Sequence, residues 1–326
     1  MEKELKWAVL GTGVIANEMA QALQKMGKKL YAVANRTYDK AVEFAEKYGA
    51  EKVYEKIDDM FTDKESDIIY ITTPHNTHIK FMLEALKNGK HVLCEKSITL
   101  NSEELEKAVK IAKEKNLILG EAMTIFNMPL YTKLSDIVNS GKLGDVKMIQ
   151  VNFGSYKEYD MNNRFFNRNL AGGALLDIGV YAISITRLFM TSKPDNVLSQ
   201  VKYAPTGVDE QVGIIMMNKE QQMSTIALTL HSKQPKRVVI ACEKAYIEVL
   251  EYPRADKAKI VYTETGEIEE IEEGITANAL QYEMQNMEKS VKSGINQMKL
   301  EYTRDVMDIM TNLRKEWGMT YPEEEK

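Results

Sequence analysis

The first 121 residues alternate short apolar runs with amphipathic helical stretches, and this alternation restricts the topology more than any other feature of the chain. Strand-like runs fall at residues 7–10, 30–34, 68–71, 91–94 and 117–120, with a weaker one near Val53. Helical periods occupy residues 15–26, 38–48, 77–88 and 102–115 between them. A strand that returns through a crossover helix lies parallel to its predecessor, so the pattern predicts a doubly wound parallel sheet. Asn101-Ser102 with Glu104 marks a helix start, and Gly27, Gly49 and Gly89 stand where helices should stop.

After Glu121 the texture changes. A helix over 130–139 and a strand over 146–153 lead to a polar loop, "YDMNNRFFNRN", and then to "LAGGALLDIGVYAISITRLF", a helix opened by Gly172-Gly173. Strand-like runs then follow in succession at 197–201, 212–217, 224–230, 238–241, 246–250 and 259–262, before two closing helices at 279–293 and 303–317. Consecutive strands with short connections predict a large, mostly antiparallel open sheet, which often keeps one face for a partner. The expected class is α/β. A doubly wound domain spans residues 1–121, and an α+β domain for substrate binding and oligomerisation spans 122–326.

Composition narrows the function classes. Forty-three basic residues against 48 acidic ones give a net charge of −5 with no dense Lys/Arg block, which argues against a nucleic-acid partner. The start runs from charges straight into a strand, and no apolar run is expected to reach the roughly 18 residues of a membrane helix, so a cytoplasmic protein without a membrane partner is predicted. The two cysteines, Cys94 and Cys242, form no disulfide framework or metal-type pair. No His/Cys/Asp cluster has ligand spacing, so no metal is expected.

"VLGTGVIA" places Gly11, Gly13 and Ala16 at the first strand-to-helix junction, the G-x-G-x-x-A turn of Rossmann dinucleotide-binding domains. The first glycine permits the tight turn, the second lets backbone approach a pyrophosphate, and the small third residue packs helix on strand. Thr12, Val14 and Ile15 complete the turn and open a helix whose free N–H groups and dipole suit phosphate. Roughly 20 residues on, where an NAD site places Asp or Glu, this chain has Asn35, Arg36 and Thr37. A guanidinium pairs with a 2′-phosphate that a carboxylate would repel, so NADP is the expected cofactor, with NAD possible through Asn35.

The fourth and fifth strands end in "ITTPHNTH" and "HVLCEKS", on the side where such sheets gather ligands. Together with the glycine turn and "GGALLDIGVY", these motifs resemble, in order and separation, the glucose-fructose oxidoreductase, inositol dehydrogenase and MocA (rhizopine catabolism) family. Dimeric dihydrodiol dehydrogenases and NADP-dependent D-xylose dehydrogenases are the nearest members in pattern. The resemblance covers nearly the whole chain. It implies that Lys96 stands beside the nicotinamide as the essential proton-handling group, that Thr72, Thr73, Pro74, His75, His78 and Glu95 fall along the cofactor, and that Arg164 touches it. It also implies that Asp177 and Tyr181 hold the family's helix positions for Asp and Tyr, and that the protein is a homodimer or homotetramer. Ser97 departs from the family's usual proline, so the Lys96–Ser97 peptide is expected to be either trans, with Lys96 re-aimed, or strained.

Asp177 and Tyr181 are four residues apart, one turn of one helical face. Oxidising a carbinol removes a proton with the hydride, and a phenol exchanges that proton well only if its reference pKa of about 10 is lowered. A neighbouring ammonium lowers it. The expected roles are therefore Tyr181 as general acid/base, Lys96 as its activator and Asp177 as the orienting carboxylate, with Lys96 and Tyr181 interchangeable. The predicted function is hydride transfer between NADP(H) and a hydroxyl or carbonyl carbon of a sugar, polyol or cyclic diol, in a cleft between domains. The alternatives are a redox-neutral glycoside hydrolase holding its nicotinamide tightly and a non-catalytic cofactor-sensing regulator. Glu95 is expected to brace the strand end rather than catalyse, and His91 and His231 are expected to be structural or solvent-facing.

Overall fold

A computed structural model describes residues 4–325, which divide into two compact units. The first comprises residues up to Met123 together with Leu280–Leu300. Its sheet contains β1 (Trp7–Leu10), β2 (Ala32–Ala34), β3 (Lys52–Tyr54), β4 (Ile68–Ile71), β5 (His91–Glu95) and β6 (Leu119–Ala122), ordered β3-β2-β1-β4-β5-β6. Every pairing is parallel. This is the doubly wound order, with its switch point between β1 and β4. Residues of β1 and β4 are buried throughout, which is why both read as unbroken apolar runs. Between the strands run α1 (Val14–Lys25), α2 (Tyr38–Tyr48), α3 (Ile57–Thr62), α4 (His78–Lys87) and α5 (Ser102–Glu114). The cap expected for α5 is present, Glu104 N donating to Asn101 Oδ1 at 2.9 Å.

Residues 280–300 belong to this first unit, an excursion that a single division at 121/122 does not describe. Trp7 Nε1 donates to Glu288 at 2.9 Å, Asn296 Nδ2 donates to Leu119 O at 2.8 Å, and Met298 lies against Gly120 where a Cβ would come within 2.7 Å.

The second unit comprises Thr124–Ala279 and the residues from Glu301 onward. Short α6 (Thr124–Asn127) and α7 (Pro129–Asn139) precede β7 (Val146–Gly154), and α8 (Val180–Phe189) follows the polar loop. Then come β8 (Asn196–Tyr203), β9 (Asp209–Met217), β10 (Met223–Thr229), β11 (Gln234–Cys242), β12 (Ala245–Leu250), β13 (Lys257–Tyr262) and β14 (Ile268–Glu272). Helix α9 (Ala279–Ser293) belongs to the first unit from Leu280 onward, and α10 (Leu300–Glu316) to the second from Glu301 onward. The eight-stranded sheet has the order β14-β13-β12-β11-β7-β10-β9-β8, antiparallel except where β7 pairs with β10. One face packs α8 against β7 and β10; the other leaves Leu198, Ile215, Met223, Tyr246 and Leu250 exposed.

Two sequence expectations need correction here. Arg168–Phe189 contains an 18-residue window apolar enough by composition to cross a membrane, with a mean hydropathy of 1.3, but 83% of that window is buried within the fold. Leu175–Gly179 forms a π turn rather than α-helix, so Asp177 and Tyr181 are not one α-helical turn apart. Gly179 lets this turn lie on β10, because a Cβ there would come within 2.9 Å of Leu228 Cδ1.

Candidate active site

The carboxyl edge of the parallel sheet collects the residues expected to hold a dinucleotide. Gly11 has φ +108, and a Cβ on it would stand 2.5 Å from Thr72 Oγ1. Thr72 holds that position by donating both N and Oγ1 to Leu10 O at 2.9 Å. The first glycine is therefore required by the protein's own packing. Gly13 differs: its φ is −73 and nothing lies within 4 Å of a Cβ built there. Its lack of a side chain leaves space beside the N-terminus of α1, where no side chain caps the helix and no acidic residue stands in the first turn. That open cradle fits a pyrophosphate. Thr12 and Ile15 are half-buried around it, Val14 is 80% exposed and Ala16 is buried against the sheet. Asn17, which sequence analysis did not single out, ties the turn down by donating to Thr12 O and Gly13 O at 3.2 and 2.9 Å.

At the end of β2, Asn35 donates to Thr37 O at 3.0 Å, while Arg36 and Thr37 are exposed. At the end of β5, Lys96 is half-buried and the Lys96–Ser97 peptide is cis. The backbone around it is held by side chains from β6, from the loop after β4 and from the start of α4. His75 Nε2 lies 3.0 Å from Lys96 O, His78 Nδ1 lies 3.0 Å from Ser97 O, and Ile98 N donates to buried Glu121 at 3.1 Å. The other ring nitrogen of His78 meets Thr73 O at 2.7 Å. His78 is fully buried, and burial lowers its pKa. This ring braces the lysine segment rather than presenting a surface. Pro74 is exposed, and Thr73 and His75 are half-buried. Tyr70 donates its hydroxyl to Glu95, which braces the strand end as expected. His91 is structural too, Nδ1 accepting from Ile118 N at 2.9 Å.

In the second unit, Asp177 is buried within the π turn, with Arg164 Nη2 at 3.6 Å from its Oδ1. Arg164 thus meets Asp177, and its guanidinium lies 4.1 Å over the Phe165 ring. Tyr181 lies in the first turn of α8, half-buried, its ring 6.1 Å from that of Phe153 on β7. His231 packs between Tyr156 and Tyr159 at ring distances of 5.4 and 4.4 Å, a structural placement.

The start of this helix depends on a residue that sequence reasoning missed. Asp209, at the head of β9, is fully buried and accepts from Leu175 N at 2.6 Å. Burial pushes its pKa up to about 7, against the Leu175 amide and the charge of Arg314. The signal that could have pointed to it is the glycine pair. A Cβ on Gly173 would stand 2.1 Å from Asp209 Oδ1, and one on Gly172 would stand 2.7 Å from Arg164 O. Both cysteines are free thiols; burial raises Cys94 and pushes Cys242 up to about 11, so neither ionises near neutrality. Among the described residues no group of three or more His, Cys, Asp or Glu is placed to hold a metal ion.

Two family models match the chain: an oxidoreductase family with an NAD-binding Rossmann fold over residues 5–123, and a GFO/IDH/MocA C-terminal domain over residues 131–248. Among similar proteins, trans-1,2-dihydrobenzene-1,2-diol dehydrogenase of Xenopus laevis is 28% identical, covering 97% of this chain and 99% of the relative. The Homo sapiens protein of that name is 26% identical, with 99% of each covered. Among solved structures, levoglucosan dehydrogenase in complex with NADH and L-sorbose superposes with a TM-score of 0.85 at 16% identity, covering 97% and 98% of the two chains. A 3-ketoreductase from Actinomadura kijaniata, in complex with NADP and TDP-benzene, gives 0.84 at 19%, covering 95% and 96%. These two likenesses establish a shared fold.

Proposed function

The chain belongs to the glucose-fructose oxidoreductase, inositol dehydrogenase and MocA family of oxidoreductases, and on that premise we propose that it transfers hydride between NADP(H) and a hydroxyl or carbonyl carbon of a sugar, polyol or cyclic diol. Relatives named for a dihydrodiol support the diol class, and the levoglucosan enzyme supports the sugar class. The observation that carries the proposal is that Lys96, with its backbone held from several sides, stands on the same sheet edge as the open cradle at Gly13.

Gly11, Thr12, Gly13, Val14 and Ile15 would hold the pyrophosphate against the N-terminus of α1. Arg36, flanked by Asn35 and Thr37, would pair with a 2′-phosphate, which is the basis for preferring NADP over NAD. Thr72, Thr73, Pro74, His75 and Glu95 would line the nicotinamide side, and His78 would act through the Lys96 segment. When bound, the nicotinamide supplies the hydride acceptor or donor. The chain's own residues then need to move one proton. Tyr181 takes the hydroxyl proton when an alcohol is oxidised and returns it to the carbonyl oxygen in reduction. In this reading Lys96 would stabilise the phenolate and donate to the substrate oxygen, and Asp177 would orient the lysine and offset its charge. Arg164, paired to Asp177, limits how far that carboxylate can turn.

The second unit would supply the substrate pocket, and its open sheet face, with Leu198, Ile215, Met223, Tyr246 and Leu250 exposed, supports a homodimer or homotetramer. A cytoplasmic location accords with the chain's free thiols. The test is an absorbance screen of NADPH and NADP over aldoses, inositols, dicarbonyls and trans-dihydrodiols, with Lys96→Ala alongside. Turnover by the parent and a loss of about 10²- to 10⁴-fold in the variant are expected. Equal turnover by both proteins refutes the assignment.

A further inference from the structure

We infer that Asp209 and the C-terminal segment around Tyr321 are positioning elements that set the attitude of the helix bearing Asp177 and Tyr181; this rests on the catalytic roles proposed for those two residues. Four contacts within the second unit carry it. Asp209 Oδ2 accepts from Leu175 N at 2.6 Å, two residues before Asp177. Its Oδ1 has no hydrogen-bond partner among the described residues and occupies the volume that a side chain at Gly173 would need. Tyr321, fully buried, donates its hydroxyl to Gly172 O at 2.7 Å. Arg168 Nε, in the loop after Arg164, donates to Thr320 O at 2.9 Å.

The segment is itself anchored. Arg314 on α10 is 2% exposed and donates to Glu324 at 2.7 and 2.8 Å, and Glu324 accepts from Tyr321 N at 2.9 Å. A continuous path of hydrogen bonds therefore runs from α10 through Glu324 and Tyr321 to Gly172, at the point where the chain enters the helix. Gly173 has φ +127, a conformation in which glycine alone is unstrained, so the entry has little stiffness of its own. Its direction must be set by what it is bonded to. Asp209 fixes the first amide of the turn and Tyr321 fixes the carbonyl three residues earlier. Loss of either would let Asp177 and Tyr181 shift together, and displacements of about 1 Å are enough to slow turnover strongly.

Tyr321→Phe removes a single oxygen; Asp209→Ala removes the acceptor; Asp209→Asn keeps an oxygen that can still accept from Leu175 N. Each variant is measured for kcat, KM, NADP affinity, melting temperature and hydrogen exchange in the peptide covering 174–181. Tyr321→Phe and Asp209→Ala should lower kcat about tenfold or more and exchange residues 174–181 about tenfold faster, with NADP affinity within twofold of the parent. Asp209→Asn should recover most of both losses. Parent-like kcat and parent-like exchange in Tyr321→Phe overturn the inference, as does a kcat loss that merely tracks a lower melting temperature across all variants. Should Asp209→Ala fail to fold, Tyr321→Phe decides alone. If the parent turns over no substrate, the proposed function fails, and the exchange measurement still decides whether these residues hold the helix.

Discussion

The two glycines of the phosphate turn should fail in opposite ways when each is replaced by alanine. At Gly11 the new methyl would stand 2.5 Å from Thr72 Oγ1 and 3.3 Å from the Thr72 backbone, at φ +108. The backbone conformation costs about 1–3 kcal/mol for a residue with a side chain, and forcing Thr72 aside costs about 1–3 kcal/mol more, so a loss of about 2–6 kcal/mol is expected. At Gly13 the same methyl meets no atom within 4 Å and φ is an ordinary −73. Alanine is a poorer N-cap than glycine but restricts the unfolded chain, and the two effects should cancel to within about 1 kcal/mol. The Gly13 methyl instead fills the space kept for pyrophosphate, and overpacking of about 1–3 kcal/mol weakens NADP binding by about 5- to 150-fold. Urea unfolding in a Trp317→Phe background follows Trp7, which is 1% exposed in the first unit, and fluorescence titration gives the affinity. Parent-like NADP affinity in Gly13→Ala, or parent-like stability in Gly11→Ala, refutes the reasoning.

Arg36→Ala should weaken NADP about 10- to 100-fold and leave NAD nearly unchanged, by loss of one charge-assisted pair; an unaltered NADP-to-NAD affinity ratio in parallel titrations would place the guanidinium outside the site. Asp209 should make stability depend on pH. Burial raises it to about 7, so the native state holds this proton more tightly than the unfolded chain does. Its contribution is complete below about pH 4 and disappears as pH rises to 7, so between pH 5 and 8 the parent should lose about 2–3 kcal/mol relative to Asp209→Asn. Urea midpoints that move in parallel for the two proteins contradict this.

The doubly wound sheet was legible because its central strands are buried on both faces and their entire sequence is apolar, as in Trp7–Leu10 and Ile68–Ile71. Ile268–Glu272 escaped notice because a charged edge strand, with three glutamates in five residues, has little apolar pattern. Ile57–Thr62 is too short to show a helical period. The motif residues at Gly11, Gly13, Lys96 and Asp177 could be found because their chemistry is local in sequence. The groups that hold them could not: Glu121 reaches back 23 residues to Ile98, Asp209 reaches 34 to Leu175, and Tyr321 reaches 149 to Gly172. The π turn was hidden for a related reason, since residue spacing does not distinguish i→i+5 from i→i+4 bonding.

The bond from Trp7 to Glu288 spans 281 residues, and buried Trp7 sits in the first strand to be made. During synthesis, the nucleotide-binding unit therefore cannot complete its packing until nearly the whole polypeptide has left the ribosome. A fragment ending at Met123 would emerge without Glu288, Asn296 and Met298, exposing an indole nitrogen and the surface beside Gly120 that those residues cover. Anyone wishing to express this unit alone should graft residues 280–300 back onto it through a designed linker, rather than cut the chain once.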